Sequence, residues 1–190
     1  MPEKNINSTT TLPTVLRPTP DESGMTVPQL LEHRINTLFE QIPLVAELGE
    51  AFARAGHDLY LVGGSVRDAL MGRLGHDLDF TTDARPDDTE AILRQHTHAT
   101  WDIGRAFGTI GAQIDDWVVE VTTYRADAYH PDSRKPEIVY GETLKDDLIR
   151  RDFTVNAMAL HAATRTFSDP YAGLTDIVSG ILRTPFPPER

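Results

Sequence analysis

Between Val27 and Ile42 the apolar residues fall at Leu30, Leu31, Ile35, Leu38 and Phe39, the spacing of one face of a helix. Pro43 interrupts that run, and Leu44, Val45, Leu48 and Phe52 restart it as far as Gly56. The period then changes. Leu59 to Val62 is a short apolar run ending at Gly63-Gly64, which predicts a buried strand, and Ser65 to Met71 predicts a helix stopped by Gly72. Leu78 to Thr81 reads as a second strand, and Asp87 to Gln95 as a helix with acid in its first turn. Thr109 to Ile114 and Trp117 to Thr123 read as a hairpin turning at Asp115-Asp116. Tyr124 to Gly141 is polar and holds Pro131 and Pro136, the pattern of a mobile loop. Asp146 to Leu160 is expected to be mostly helical. Short strands at Met158 to His161 and Thr166 to Ser168 follow, then a turn of helix near Tyr171 to Ile177. The Pro-rich stretch after Thr184 is expected to close nothing.

Composition narrows this picture. Residues 1–28 are rich in Thr, Pro, Asn and Ser and are expected to form a disordered extension, leaving 29–190 as one domain. No stretch approaches the ~18 apolar residues of a membrane helix, so no membrane is expected. The chain has no cysteine, which removes disulfides and thiolate metal sites and suits a cytoplasmic protein. A net charge of −11 argues against a basic, duplex-wrapping protein. It leaves room for a site that gathers carboxylates around cations.

The candidate chemistry lies at Gly63-Gly64-Ser65-Val66-Arg67-Asp68 and His76-Asp77-Leu78-Asp79-Phe80. Two residues apart on a strand, Asp77 and Asp79 leave the same face with Cα atoms roughly 6–7 Å apart. Such a pair can share two divalent ions at the ~3.5–4 Å separation used in phosphoryl displacement. Alone, an Asp-x-Asp is more often a solvated loop end. Gly63-Gly64 stands where a strand turns into a helix, letting backbone N–H groups approach phosphate, and Arg67 lies one turn further on. A plain turn with a local Arg67–Asp68 ion pair is the plainer explanation. Glu120, inside an apolar, β-branched strand, reads as a third metal ligand or proton acceptor, or as a charge facing water from an edge strand. Arg150-Arg151-Asp152 is read as a helix start, with one arginine for nucleotide phosphate or sugar, Asp152 as cap and Asn156 for a ribose hydroxyl. His96-x-His98 reads as the solvated end of a helix, and the seven histidines form no set. Asp77-x-Asp79-x-Thr81 also fits a haloacid-dehalogenase-type nucleophile loop, but Gly72 to His76 cannot be the buried strand such a loop requires.

Four ordered motifs resemble the head domain of the class II tRNA nucleotidyltransferase (CCA-adding) and bacterial poly(A) polymerase family. They are Leu61 to Asp68, Asp77-Leu-Asp79, Glu120 to Arg125 and Arg151 to Ala157. The resemblance implies an α/β (α+β) nucleotidyltransferase fold of the polymerase-β-like type, with a mixed sheet flanked by helices. It implies two Mg²⁺ ions on Asp77 and Asp79, triphosphate contacts from Gly63, Gly64 and Arg67, and help from Arg151 in holding the incoming nucleotide. The implied reaction is attack by an RNA 3′-hydroxyl, here the tRNA 3′ end, on CTP or ATP. Poly(A) addition and a non-catalytic nucleotide-binding module are the alternatives. The family's base-selecting acidic-Asp-x-x-Arg element is not found before Arg190, so the chain reads as ending just past the head.

Overall fold

The computed structural model describes residue 16 and residues 18–102, 104–126 and 139–186. Helices α1 (Val27–Gln41) and α2 (Pro43–Arg54) form where the apolar spacing places them, with Pro43 serving as the first residue of α2. Then come β1 (Leu59–Val62), α3 (Gly63–Leu70), β2 (Asp77–Thr82), α4 (Pro86–Leu93) and β3 (Thr100–Trp101). The hairpin is β4 (Thr109–Ile114) and β5 (Trp117–Thr123), turning at Asp115 with φ 51°. After it lie β6 (Arg125–Ala126), β7 (Val139–Tyr140), α5 (Leu144–Ile149), β8 (Ala159–His161), β9 (Phe167–Ser168) and α6 (Gly173–Ser179).

Seven strands form one mixed sheet in the order β3-β4-β5-β2-β1-β8-β9, while β6 and β7 pair as a separate ribbon. Every pairing is antiparallel except β2 with β5. One face of the sheet presents Leu59, Leu61, Leu78, Phe80, Ile110, Val119 and Val121 to the main core, shared with apolar residues of α1 to α4. The opposite face carries the alternate residues. It is covered at the β1–β8 end by a smaller cluster of Val62, Leu148, Ala157 and Ala159 with Tyr60, Leu144 and Tyr171. Its other half, from β2 outward, holds Asp77, Asp79 and Glu120.

Three expectations change. Within the extension expected through Pro28, Leu16 and Glu22 are buried and Arg34 bonds both. Residues 1–15 and 17 lie outside the described residues. Helix α5 ends at Ile149, so Asp146 to Leu160 is not mostly helical and Arg150-Arg151-Asp152 follows a helix rather than starting one. Its start is set by Thr143 and Asp146, which form a capping box. The ends of the expected mobile loop pair as the β6–β7 ribbon, and its middle, 127–138, lies outside the described residues. Just ahead of the Pro-rich stretch, Arg183 pairs with buried Asp176 and its carbonyl accepts from the Thr154 N–H at 2.8 Å. Thr154 Oγ1 donates to the same Asp176 at 2.5 Å, and these bonds hold the Asp176 carboxyl below its ordinary range.

Candidate nucleotidyl-transfer site

Strand β1 stops at Val62 because Gly63 takes φ +65° and sends the chain into α3. The next two residues of β1 would have continued the ladder along β2 toward Asp77. A hydroxyl takes their place: Ser65 Oγ accepts from the Asp79 N–H at 3.1 Å and donates to the Asp77 carbonyl at 3.2 Å. The helix start is thus bonded to the strand between the two aspartates, and the Gly63-Gly64 turn and the acid pair form one unit.

Asp77 and Asp79 are both exposed on the same face while Leu78 and Phe80 are buried on the other. The parallel register sets Glu120 beside Asp79 and Val118 beside Asp77. Cross-strand partners share a face, so the three carboxylates form a triangle over β2 and β5. Strand β5 lies between β2 and β4, so Glu120 faces water from the sheet interior and the edge-strand explanation falls. Among the described residues no cation lies within ion-pair distance of Asp77, Asp79 or Glu120. Although Asp79 is exposed at the surface, desolvation by the protein around it pushes its carboxyl up, Arg151 offsets part of that, and Asp77 pushes it further up.

A cationic cluster stands above one side of this triangle. Asp147, fully buried, accepts from Arg151 Nη2 at 2.9 Å, Arg150 Nη2 at 3.3 Å and the Arg125 backbone N–H at 3.3 Å. Two guanidiniums and a backbone N–H thereby share one carboxylate, while the Arg125 guanidinium donates from Nη2 to Thr109 Oγ1 at 2.9 Å. The Nε atoms of Arg125, Arg150 and Arg151 are buried and have no hydrogen-bond partner among the described residues. Burial, together with Arg150, pulls Arg125 below its ordinary range. Arg151 also leans over the turn: a Cβ on Gly63 would lie 3.1 Å from its Nη1. Such a cluster is undercompensated by design for phosphate oxygens, which Arg binds in a planar fork.

The remaining expected residues form a neighbouring network. Arg67 makes the local pair with Asp68 that its sequence allows, at 2.9 and 3.1 Å, and donates from Nη1 to Asn156 at 2.7 Å. Asn156 in turn donates to Asp152 at 3.1 Å, and Asp152 accepts from the Phe153 N–H ahead of a single 3-10 turn rather than an α-helix. Sequence reasoning missed Ser65 as the link between turn and acids, and Asp147 as the hub. A signal for Asp147 existed: an acid three and four positions before Arg150 and Arg151, the helix-neighbour spacing.

Mg²⁺ fits the chemistry of this donor set, which is oxygen only and carries unpaired negative charge. Among the described residues no three acid or imidazole side chains stand as a closed ligand set, so phosphate and water oxygens would complete the shell. No helix of the described residues is long and apolar enough to cross a membrane.

The family described as the poly A polymerase head domain matches residues 59–183. A CCA-adding enzyme of Staphylococcus aureus (strain MRSA252) is 41% identical over 150 residues, covering 78% of this chain and 35% of that protein. The CCA-adding enzyme of Bacillus stearothermophilus in complex with CTP superimposes with a TM-score of 0.65 at 34% identity, over 76% of this chain and 33% of that one. A tRNA nucleotidyltransferase complexed with a primer tRNA and an incoming ATP analog gives a TM-score of 0.60 at 31% identity, over 73% of this chain and 39% of that one. The chain thus spans about a third of the length of the proteins it matches. The turn, the acid pair, Glu120 and the arginine cluster all fall inside the matched segment, and the chain belongs to the poly A polymerase head domain family.

Proposed function

We propose that this chain is the catalytic head of a template-independent RNA nucleotidyltransferase that adds CMP and AMP, from CTP and ATP, to tRNA 3′ ends. The observation that carries the reading is the set of three unpaired carboxylates, Asp77, Asp79 and Glu120, beside a glycine turn and an undercompensated arginine cluster. A purely structural sheet face has no use for that arrangement, which costs charge repulsion. The relatives' names, with CTP, an ATP analog and primer tRNA among them, support the substrates.

Asp77 and Asp79 would hold two Mg²⁺ ions, which when bound neutralise phosphate charge and lower the pKa of the attacking hydroxyl. Ser65 fixes the spacing of the two carboxylates through the β2 backbone. The Gly63 and Gly64 backbone and Arg151 cradle the triphosphate, with Arg125 and Arg150 supplying further charge. Arg67, Asp152 and Asn156 line the nucleotide side of the turn, Arg67 and Asn156 being already oriented toward one another. Glu120 accepts the proton of the attacking RNA 3′-hydroxyl. The protein contributes position and charge rather than a covalent intermediate. The assignment to the cytoplasm rests on the same tRNA-processing relatives.

The test is to supply CTP, ATP and Mg²⁺ with tRNA lacking its CCA end and to sequence the products. Ordered C, C, A supports the reading. Runs of A alone on general RNA would instead support poly(A) addition, which the family's description allows. Nucleotide binding that ignores both Mg²⁺ and Asp77 would mark a non-catalytic module.

A further inference from the structure

One row of the sheet runs through the acid triangle and out to the edge. Asp79 on β2 pairs with Glu120 on β5, Glu120 with Gly111 on β4, and Gly111 with Trp101 on β3. All four positions share a face. Gly111 is the unusual member, a glycine inside a strand, and the indole of Trp101 occupies the room it leaves. A Cβ on Gly111 would lie 2.0 Å from Trp101 Nε1 and 2.2 Å from Cε2, so any side chain there would evict the ring. The indole therefore rests on the β4 backbone and reaches inward from the edge strand toward Glu120. It is only half-buried. Among the described residues no aromatic ring or guanidinium stacks on it.

Reaction geometry gives that ring an occupant. In a phosphoryl displacement the attacking and leaving oxygens stand roughly in line on opposite sides of the phosphorus. The Gly63-Gly64 turn and Arg151 lie on the β1 side of Asp79, which puts the pyrophosphate end of the incoming nucleotide there. The attacking hydroxyl must then come from the β5 side, over Glu120. The sugar and base that carry it extend further along the same row, over Gly111. At about two strand spacings, ~10 Å, from the Asp79 column, the indole lies where that base arrives. With a net charge of −11 this chain has little electrostatic hold on RNA, so a stacking contact carries more of the grip.

Resting on the reading of the site as an RNA nucleotidyltransferase, we propose that Trp101, seated over Gly111, is the stacking platform for the terminal base of the RNA being extended. Stacking accepts any base, which suits an end whose identity changes with each addition.

The protein has two tryptophans, so a Trp117→Phe background isolates Trp101 emission. Titrating a short single-stranded RNA ending in cytidine should quench that emission to saturation, and CTP alone should not. Trp101→Leu keeps an apolar cover over Gly111 but cannot stack. It should weaken binding of the same RNA, dye-labelled and followed by anisotropy, by about 5- to 100-fold, the equivalent of ~1–3 kcal/mol. KM for CTP should stay unchanged, and Trp101→Phe should restore most of the affinity. Gly111→Ala, which displaces the ring, should copy Trp101→Leu. Unquenched emission, unaltered RNA binding by the Leu variant, or equal quenching by CTP would overturn the platform. The two proposals fail separately: quenching by RNA without nucleotide transfer would defeat the enzymatic reading, and transfer without quenching would defeat only the platform.

Discussion

Two groups of charge in this molecule use the same residue types to opposite ends. Near the start of the fold, Glu22 and Arg34 are both buried, paired at 2.9 and 3.0 Å, with Arg34 also donating to the Leu16 carbonyl at 2.7 Å and to the Leu70 carbonyl. Arg34 holds the Glu22 carboxyl down to about 2 from an ordinary value of 4.5. On the sheet face, desolvation pushes the Asp79 carboxyl the other way, Arg151 offsets part of that, and Asp77 adds to it. A carboxylate that serves the fold is already neutralised by its surroundings. One that serves a ligand is left for the ligand to neutralise.

Mutation should split this contrast cleanly. Asp77→Ala or Asp79→Ala should cost transfer at least ~10³-fold, the loss expected when several kcal/mol of metal-held charge stabilisation goes. Thermal unfolding of the metal-free protein should show no matching loss. Comparable rates in either variant would remove the metal assignment.

Glu22→Ala should do the reverse. Removing the carboxylate from this buried ion pair costs about 3–5 kcal/mol, read from urea denaturation, while kcat under native conditions holds. The same pair gives a pH signature. Because the folded pKa is depressed, its contribution is complete above pH ~4.5 and is lost as pH falls toward ~2, on the order of 3 kcal/mol in all. Glu22→Gln should flatten that part of the stability curve.

Smaller effects sharpen the comparison. Asp79→Asn relieves the repulsion with Asp77, so the metal-free variant should melt slightly higher than the parent, and added Mg²⁺ should erase or reverse the gap. If Asn lowers the melting temperature without metal, Asp79 is compensated after all. Ser65→Ala removes two bonds to the β2 backbone and should cost about 1 kcal/mol, with KM for nucleotide rising more than kcat falls.

Much of this was readable from residue order, and the parts that were not share a cause. The face of Asp77 and Asp79 follows from strand alternation, and β1, β4 and β5 have the bounds their apolar patterns predict. Local rules reach that far. Glu120 could not be placed, because whether β5 is an edge or an interior strand depends on a pairing with β2 that no local pattern reports. For Asp147 the spacing to Arg150 and Arg151 is local and legible, and only its bond from the Arg125 N–H on β6 needs the fold. The helix expected from Asp146 to Leu160 differs in another way: α5 ends at Ile149, and the Thr143–Asp146 capping box, present in the sequence, sets only its start. Arg67 kept its plain local partner, Asp68, and the Asn156 bond came from a segment 89 positions away.

The single parallel pairing has a kinetic consequence. Asp79 and Glu120 meet only when β2 and β5 align, and that union closes a connection that includes α4, β3 and β4. Hairpins such as β4–β5 close quickly, whereas a crossover of this span closes late because its loop entropy must be met before any contact rewards it. A nascent chain should therefore acquire its helices and hairpin well before it acquires any ability to bind a divalent ion.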